Sequence, residues 1–321
     1  MDSIGYLPGC FGKLPKFADF VKFNSGNSGI ISFDTWLQNG LQHAKAKLST
    51  SFDNFYSQSN SIQFIFPIQN SSNTLLGTFI PSNDKSGRKY PFIIFTLFNH
   101  STVNKNSYLQ PMLFENFFLN STKNIYQTKD MDKLDDIITE IKNQFIHNET
   151  NLSYTKLKYR NFLNATTNNQ FWNRLFKNFE DERKYLIFYN LIEILSPFRN
   201  RQITNFTLGL KIPIDSKSNY IFTDISFWIN VCSRLVNNMS LQPYLFWEQN
   251  SKTDTNYLTL FMNQPPFDNY THFIHPSYLM DNICFTDKEG NIENAKNFLR
   301  NKYLSSVENK ELLLTDLLNV I

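Results

Sequence analysis

Residues 62–98 read IQFIFPIQNSSNTLLGTFIPSNDKSGRKYPFIIFTLF. Three runs within it, over 62–68, 74–80 and 90–98, are dense in Phe, Ile and Leu, the aromatic and β-branched residues favouring strands. The last is nearly continuous in apolar residues, which suits a strand covered on both faces. Between the second and third lies Pro81-Ser-Asn-Asp-Lys-Ser-Gly87. Such a cluster of turn formers predicts an antiparallel hairpin.

Upstream, Phe33, Trp36, Leu37, Leu41, Ala44 and Leu48 fall on one face of a helix over 33–52, with Ser32 as its expected N-cap. Gly40 lies inside it at a propensity cost of about 1 kcal/mol relative to Ala. A close neighbour is therefore expected there. Downstream, Met131, Leu134, Ile137, Ile138, Ile141 and Phe145 predict a helix over 130–145. Residues 147–178 mix polar and aromatic residues without a clear period. A helix over 180–195 ends before Pro197 and starts at Glu180-Asp181-Glu182, charges that suit a helix N-terminus. Strands over 206–212, 244–247 and 257–262 follow, with a helix over 223–237 between the first two. Helices over 292–304 and 307–318 close the chain. Clustered strands with helices between them predict an α+β fold. Mostly antiparallel sheets would pack against helices in two αβ parts, 1–125 and 126–321, each with its own sheet.

Composition narrows the function classes. The 321 residues include 32 Phe, ample for an aromatic core. Thirty-one basic against 28 acidic residues leave +3, too balanced for a nucleic-acid binder recognised by bulk charge. No apolar run approaches the ~18 residues of a membrane-spanning helix. The start, MDSIGYLPGCFGKLPKF, lacks the pattern of a signal peptide, and Cys10, Cys232 and Cys284 form no CxxC pair. Reduced thiols in a cytoplasmic protein are expected.

Gly12-Lys13 matches only a fragment of a phosphate-binding loop, because Leu7 and Leu14 occupy positions that need Gly and Ser or Thr. His272 and His275 have only Cys284 as a further candidate ligand, so two surface or loop histidines are expected. No metal and no cofactor are expected, and no G-x-S-x-G elbow is present. Two polar clusters, over 12–22 and 81–92, stand out. There Lys13, Asp19, Asp84 and Arg88 sit in turn chemistry beside large apolar residues. Asp19 and Asp84 can cap turns, and Arg88 can bind carbonyls or a carboxylate. A meeting of the two loops would instead make a polar site. Two functions follow from such a site. One is a non-enzymatic partner-binding face, on which Asp84→Ala or Arg88→Ala would weaken binding and leave the fold intact. The other is an anion- or nucleotide-binding enzyme, with Lys13 and Arg88 gripping the anion and Asp19 or Asp84 as acid–base or metal ligand.

The order Gly12-Lys-Leu-Pro15, Asp19-Phe-Val21, Trp36-Leu-Gln38, Gly40-Leu41, Pro81-Ser82, Asp84, Gly87-Arg88 and Tyr90-Pro-Phe92 resembles the TagF family, also called ImpM, across roughly the first hundred residues. The family usually has His-Gly-Asp-Phe where this chain has Phe17-Ala18-Asp19-Phe20. Tyr244-Leu-Phe-Trp247 and Leu260-Phe-Met-Asn-Gln-Pro-Pro266-Phe267 are similar to its C-terminal pattern. The resemblance implies a cytoplasmic accessory protein of the bacterial type VI secretion system. Such a protein would regulate after translation through protein contacts, including a forkhead-associated-domain scaffold, without catalysis or a fused phosphatase.

Overall fold

The computed structural model describes residues 3–5, 8–145, 149–201, 206–215, 217–248 and 256–321. Eleven strands are defined: β1 (Ser3–Gly5), β2 (Pro8–Gly12), β3 (Val21–Phe23), β4 (Ile62–Pro67), β5 (Asn73–Ile80), β6 (Phe92–Asn99), β7 (Glu149–Asn151), β8 (Gly209–Ile214), β9 (Tyr244–Glu248), β10 (Asn256–Phe261) and β11 (Ile283–Phe285). Nine of them form one sheet in the order β11-β8-β10-β9-β4-β5-β6-β2-β3, and β1 pairs separately with β7. Every pairing in the large sheet is antiparallel except β11 with β8. The α+β class read from the sequence is the observed one.

The predicted hairpin forms as β5 and β6, with Ile80 opposite Phe92 at its turn end. Its strands are buried throughout most of their length, and their side chains alternate between two cores. Phe64, Phe66, Leu75, Phe79, Ile93 and Phe95 point to one face. Ile65, Leu76, Ile80, Ile94 and Phe98 point to the other. The first face is covered by the helices Ser28–Leu48 and Tyr270–Ile274, where Phe33 stacks on Phe64 at 4.2 Å between ring centroids. The second is covered by a layer containing the helices Glu115–Gln127, Asn168–Phe176, Arg183–Leu195 and Ile221–Leu235. Continuous apolar strands are what two covered faces require.

The separate sheets expected for the two parts are in fact joined. Strand β4 pairs with β9 antiparallel, Phe64 opposite Phe246 and Ile65 opposite Leu245. The N-terminal strands alone would leave β4 as an apolar edge with unpaired backbone groups, and β9 removes that edge. Local periodicity carries no information about which distant strand does so.

Several helix ends also move. The first helix runs over Ser28–Leu48 and its N-cap is Asn27, whose side chain accepts from Ile30 N at 2.9 Å, not Ser32. Residues 147–178 contain the helices Leu152–Ala165 and Asn168–Phe176. The second opens with a reciprocal capping box between Thr167 and Gln170, a signal visible in the sequence. The C-terminal expectations resolve into shorter helices, Ile292–Leu299, Leu304–Glu308 and Leu314–Val320. Residue 147 lies outside the described residues.

Trp36 is buried as its spacing predicts, and its indole N–H donates to Pro265 O at 2.9 Å. The close neighbour expected at Gly40 is Tyr270. A Cβ at Gly40 would stand 2.5 Å from Tyr270 Cβ and 2.8 Å from Phe267 O. Gly40→Ala should therefore destabilise by about 1–3 kcal/mol through overpacking, despite its higher helix propensity. Urea unfolding measures this, and a variant as stable as wild type would mean that the two helices separate freely.

Candidate functional site

Strand β2 ends at Gly12, where φ is +133° and a Cβ would lie 2.1 Å from Pro91 O. Only glycine allows β2 to run so close to the start of β6. The chain then turns through Lys13–Phe20 beside the 81–91 loop, and the backbones meet where Lys85 N donates to Phe17 O at 2.8 Å. Tyr56 anchors the loop from beneath, its hydroxyl donating to Ser82 O and accepting from Ser82 N at 3.0 and 3.1 Å.

Asp84 is the centre of this arrangement. It has no solvent exposure. One carboxylate oxygen accepts from Lys13 Nζ at 2.8 Å and Arg88 Nε at 2.7 Å. The other accepts from Ser86 N, Ser86 Oγ and Arg88 N at 3.0, 2.8 and 2.9 Å. Burial alone would raise its pKa. The hydrogen bonds from Lys13, Ser86 and Arg88 outweigh burial and hold the carboxyl well below the usual carboxylate range. Arg88 also donates through Nη2 to Ala18 O at 2.9 Å, joining the loops a second time, while most of its side chain stays exposed. Phe20 lies 5.0 Å from the Tyr90 ring and 5.3 Å from Lys13 Nζ. Tyr90 donates to Asp34 on the first helix.

Of the four residues singled out in the sequence, the structure brings Lys13, Asp84 and Arg88 together. Asp19 lies exposed on the adjoining bend, outside this network. The capping role expected of Asp84 is seen, whereas no turn cap by Asp19 is. Lys13 and Asp84 neutralise each other within the fold, so what faces solvent is the Arg88 guanidinium with Lys16, Asp19 and Lys85 around it. Sequence reading missed Tyr56 and Ser86, which hold the loop, because neither carries a motif.

Of the two histidines, His275 lies in the loop after the helix Tyr270–Ile274, as expected, and His272 departs from expectation. His272 lies on the helix Tyr270–Ile274, buried against the first helix's layer, and its Nδ1 is 2.9 Å from Tyr278 O. Burial, with the nearby Lys211 charge, pushes its pKa down to about 4. His275 stacks on Phe55 at 3.7 Å. Packing of the Asn263–Tyr270 segment onto Gly40 draws His272 inward. Among the described residues, no three His, Cys, Asp or Glu gather as metal ligands, and the three cysteines are unpaired.

Away from the loops, a cleft of about 520 Å³ is lined by Glu115, Lys158, Phe162, Arg174 and Tyr220. Arg174 makes a bidentate pair with buried Asp224 at 2.6 and 3.2 Å and lies over the Tyr220 ring at 4.6 Å. Burial raises Asp224 to about 6, with Arg174 opposing. The Glu180-Asp181-Glu182 triplet is used by Lys310, Arg183 and Lys296, respectively.

Three pH effects follow. Asp84, with its lowered pKa, stabilises the fold above the ordinary Asp value of 3.8, and this is lost as pH falls through the folded value. Asp84→Ala should lower stability strongly at pH 7, contrary to the expectation that it leaves the fold intact, because Lys13 is left buried without a partner. Neutral His272 opposes folding as pH falls from 6.5 towards about 4, by roughly 3 kcal/mol in full. Asp224 acts in the opposite sense over an overlapping window, from about 6 to 3.8. Denaturant midpoints for wild type and His272→Gln at pH 7 and 4.5 isolate the His272 contribution. The variant should lose less stability on acidification, and equal losses would contradict the assignment.

Residues 9–142 match the family model of the TagF N-terminal domain, described as type VI secretion system-associated. No curated protein matches the chain. The fold is similar to the crystal structure of PA0076 from Pseudomonas aeruginosa PAO1, with a TM-score of 0.52 and 12% identity over 85% of this chain and 96% of that one. At that identity the likeness speaks for the fold alone. Both loops of the Asp84 network and the Gly40 helix lie within the matched residues, so residues 9–142 carry a type VI secretion system-associated TagF N-terminal domain.

Proposed function

We propose that this protein is a cytoplasmic regulator of the type VI secretion system that acts after translation by binding other proteins of that system, without catalysis. A forkhead-associated-domain scaffold is the expected partner. The contact face is the pair of loops carrying Lys13, Asp19, Asp84 and Arg88. One observation carries this reading. A fully buried carboxylate clamps two surface loops, and most of the Arg88 side chain faces solvent there beside the exposed Lys16, Asp19 and Lys85. Rigid loops presenting Arg suit an interface, since little ordering entropy remains to be lost on binding.

The enzyme reading draws less support from the same residues. Lys13 is committed to Asp84, and Arg88 is divided between Asp84 and Ala18 O. Asp19 stands apart, so these groups do not converge as an anion site needs.

The deciding experiment is affinity isolation from the native cytoplasm with wild type and Arg88→Ala as baits. Arg88 is largely exposed but donates to the fully buried Asp84, which keeps its bonds from Lys13 and Ser86 in the variant, so the fold of Arg88→Ala is checked by thermal unfolding beside the isolation. Wild type should recover secretion-system proteins and folded Arg88→Ala markedly less. Equal recovery by both would remove the loops as the contact face. Recovery of none by folded wild type would remove the partner model.

A further inference from the structure

The helices Glu115–Gln127, Leu152–Ala165, Asn168–Phe176 and Ile221–Leu235 all contribute to the cleft of about 520 Å³ that lies away from the Asp84 loops. A cleft of that size suits a small molecule. Its central polar group is Arg174. One edge of the guanidinium, Nε and Nη2, is held by the buried Asp224 carboxylate at 3.2 and 2.6 Å. Aromatic rings lie against it, Tyr220 at 4.6 Å, Phe171 at 5.5 Å and Phe162 at 5.9 Å. A guanidinium has five N–H donors, and the pair with Asp224 uses two of them. The others have no acceptor among the described residues. Arg174 lines the cleft and keeps 15% of its side chain exposed. With one edge on Asp224 and rings around it, the part left to that exposure is the Nη1–Nη2 end.

We propose that this cleft binds a small monocarboxylate with an aromatic or compact apolar body, its carboxylate taken by the open end of Arg174. A carboxylate matches that end in two parallel hydrogen bonds. Asp224 fixes the guanidinium in advance by holding its other edge, so little side-chain entropy remains to be lost on binding. The charges of the site select a monoanion. Arg174 is balanced by Asp224, and Lys158, on the cleft wall, by Glu115 at 2.6 Å. Two carboxylates therefore border the site already, and a dianion would meet them with no cation in excess. The apolar body has Phe162, Phe222 and the exposed Ala165 to lie against, with Tyr220, 49% exposed, beside them. Of these residues only Glu115 falls within 9–142, so the site stands apart from the contact face proposed above and does not depend on it.

The test is calorimetric titration of the full chain at pH 7 with benzoate, phenylacetate and 3-phenylpropionate, beside the amide of each, acetate and phenyl phosphate. At least one of the three acids should bind. Its amide, acetate and phenyl phosphate should each bind roughly tenfold or more weakly, for want of the charge, the apolar body and the single charge, respectively. Arg174→Lys keeps a cation for the buried Asp224 but removes the paired donors, and it should lose roughly tenfold or more in affinity. Ala165→Phe fills the cleft from an exposed position that belongs to neither ion pair. It should lose as much, and it keeps the test open if Arg174→Lys fails to fold. Thermal unfolding checks both variants. Four results would each overturn the proposal: no binding of any of the three acids by folded wild type, amides that bind as tightly as their acids, tighter binding of phenyl phosphate, or unchanged binding in folded Ala165→Phe.

Discussion

A sheet whose central strands are apolar on both faces has to be covered twice and must not end on those strands. That constraint organises this protein. β4, β5 and β6 send Phe64, Phe66 and Phe95 to one side and Ile65, Leu76 and Ile94 to the other. The first helix covers one side and the larger helical layer the other, while β9 closes the β4 edge. The glycines of the first helix follow from the same requirement. Gly40 admits Tyr270, and Gly29 admits Ile68, where a Cβ would stand 2.3 Å away. Helix propensity is given up where close approach returns more in buried aromatic area.

The Asp84 network is the polar counterpart of this packing. A hairpin end and the turn after β2 must cross the rim of the sheet, where backbone groups have no ladder to join. A buried carboxylate with five donors supplies the missing partners and ties the two turns into one unit. The same carboxylate that neutralises Lys13 leaves Arg88 at the surface in a defined position. Rigidity and display are one arrangement here.

Element type was legible wherever periodicity was strong. The 62–98 hairpin region, the Gly40 helix and the burial of Trp36 all follow from spacing. Helix ends were less so. Asn27 and Ser32 are both competent caps, and the choice fell to Asn27 because Gly29 and Ile30 are both needed in the core. The helices within 149–178 were missed because their apolar faces are short and interrupted, although the Thr167–Gln170 box marked one start. At the candidate site, the residue types and their turn context pointed to Asp84 and Arg88. The separation of Asp19 from them did not show, since it depends on which way a bend turns after Phe17.

The sequence by itself determined the α+β class, the hairpin and the residues of the two loops, because local periodicity and turn chemistry act over a few residues. Only the tertiary structure decided that strands from both halves share one sheet, that Asp84 is wholly buried between Lys13 and Arg88, and that His272 and Lys211 lie inside. Each of these joins residues far apart in the chain. Burial and pairing across such distances are settled by how whole faces fit together, which no local pattern encodes.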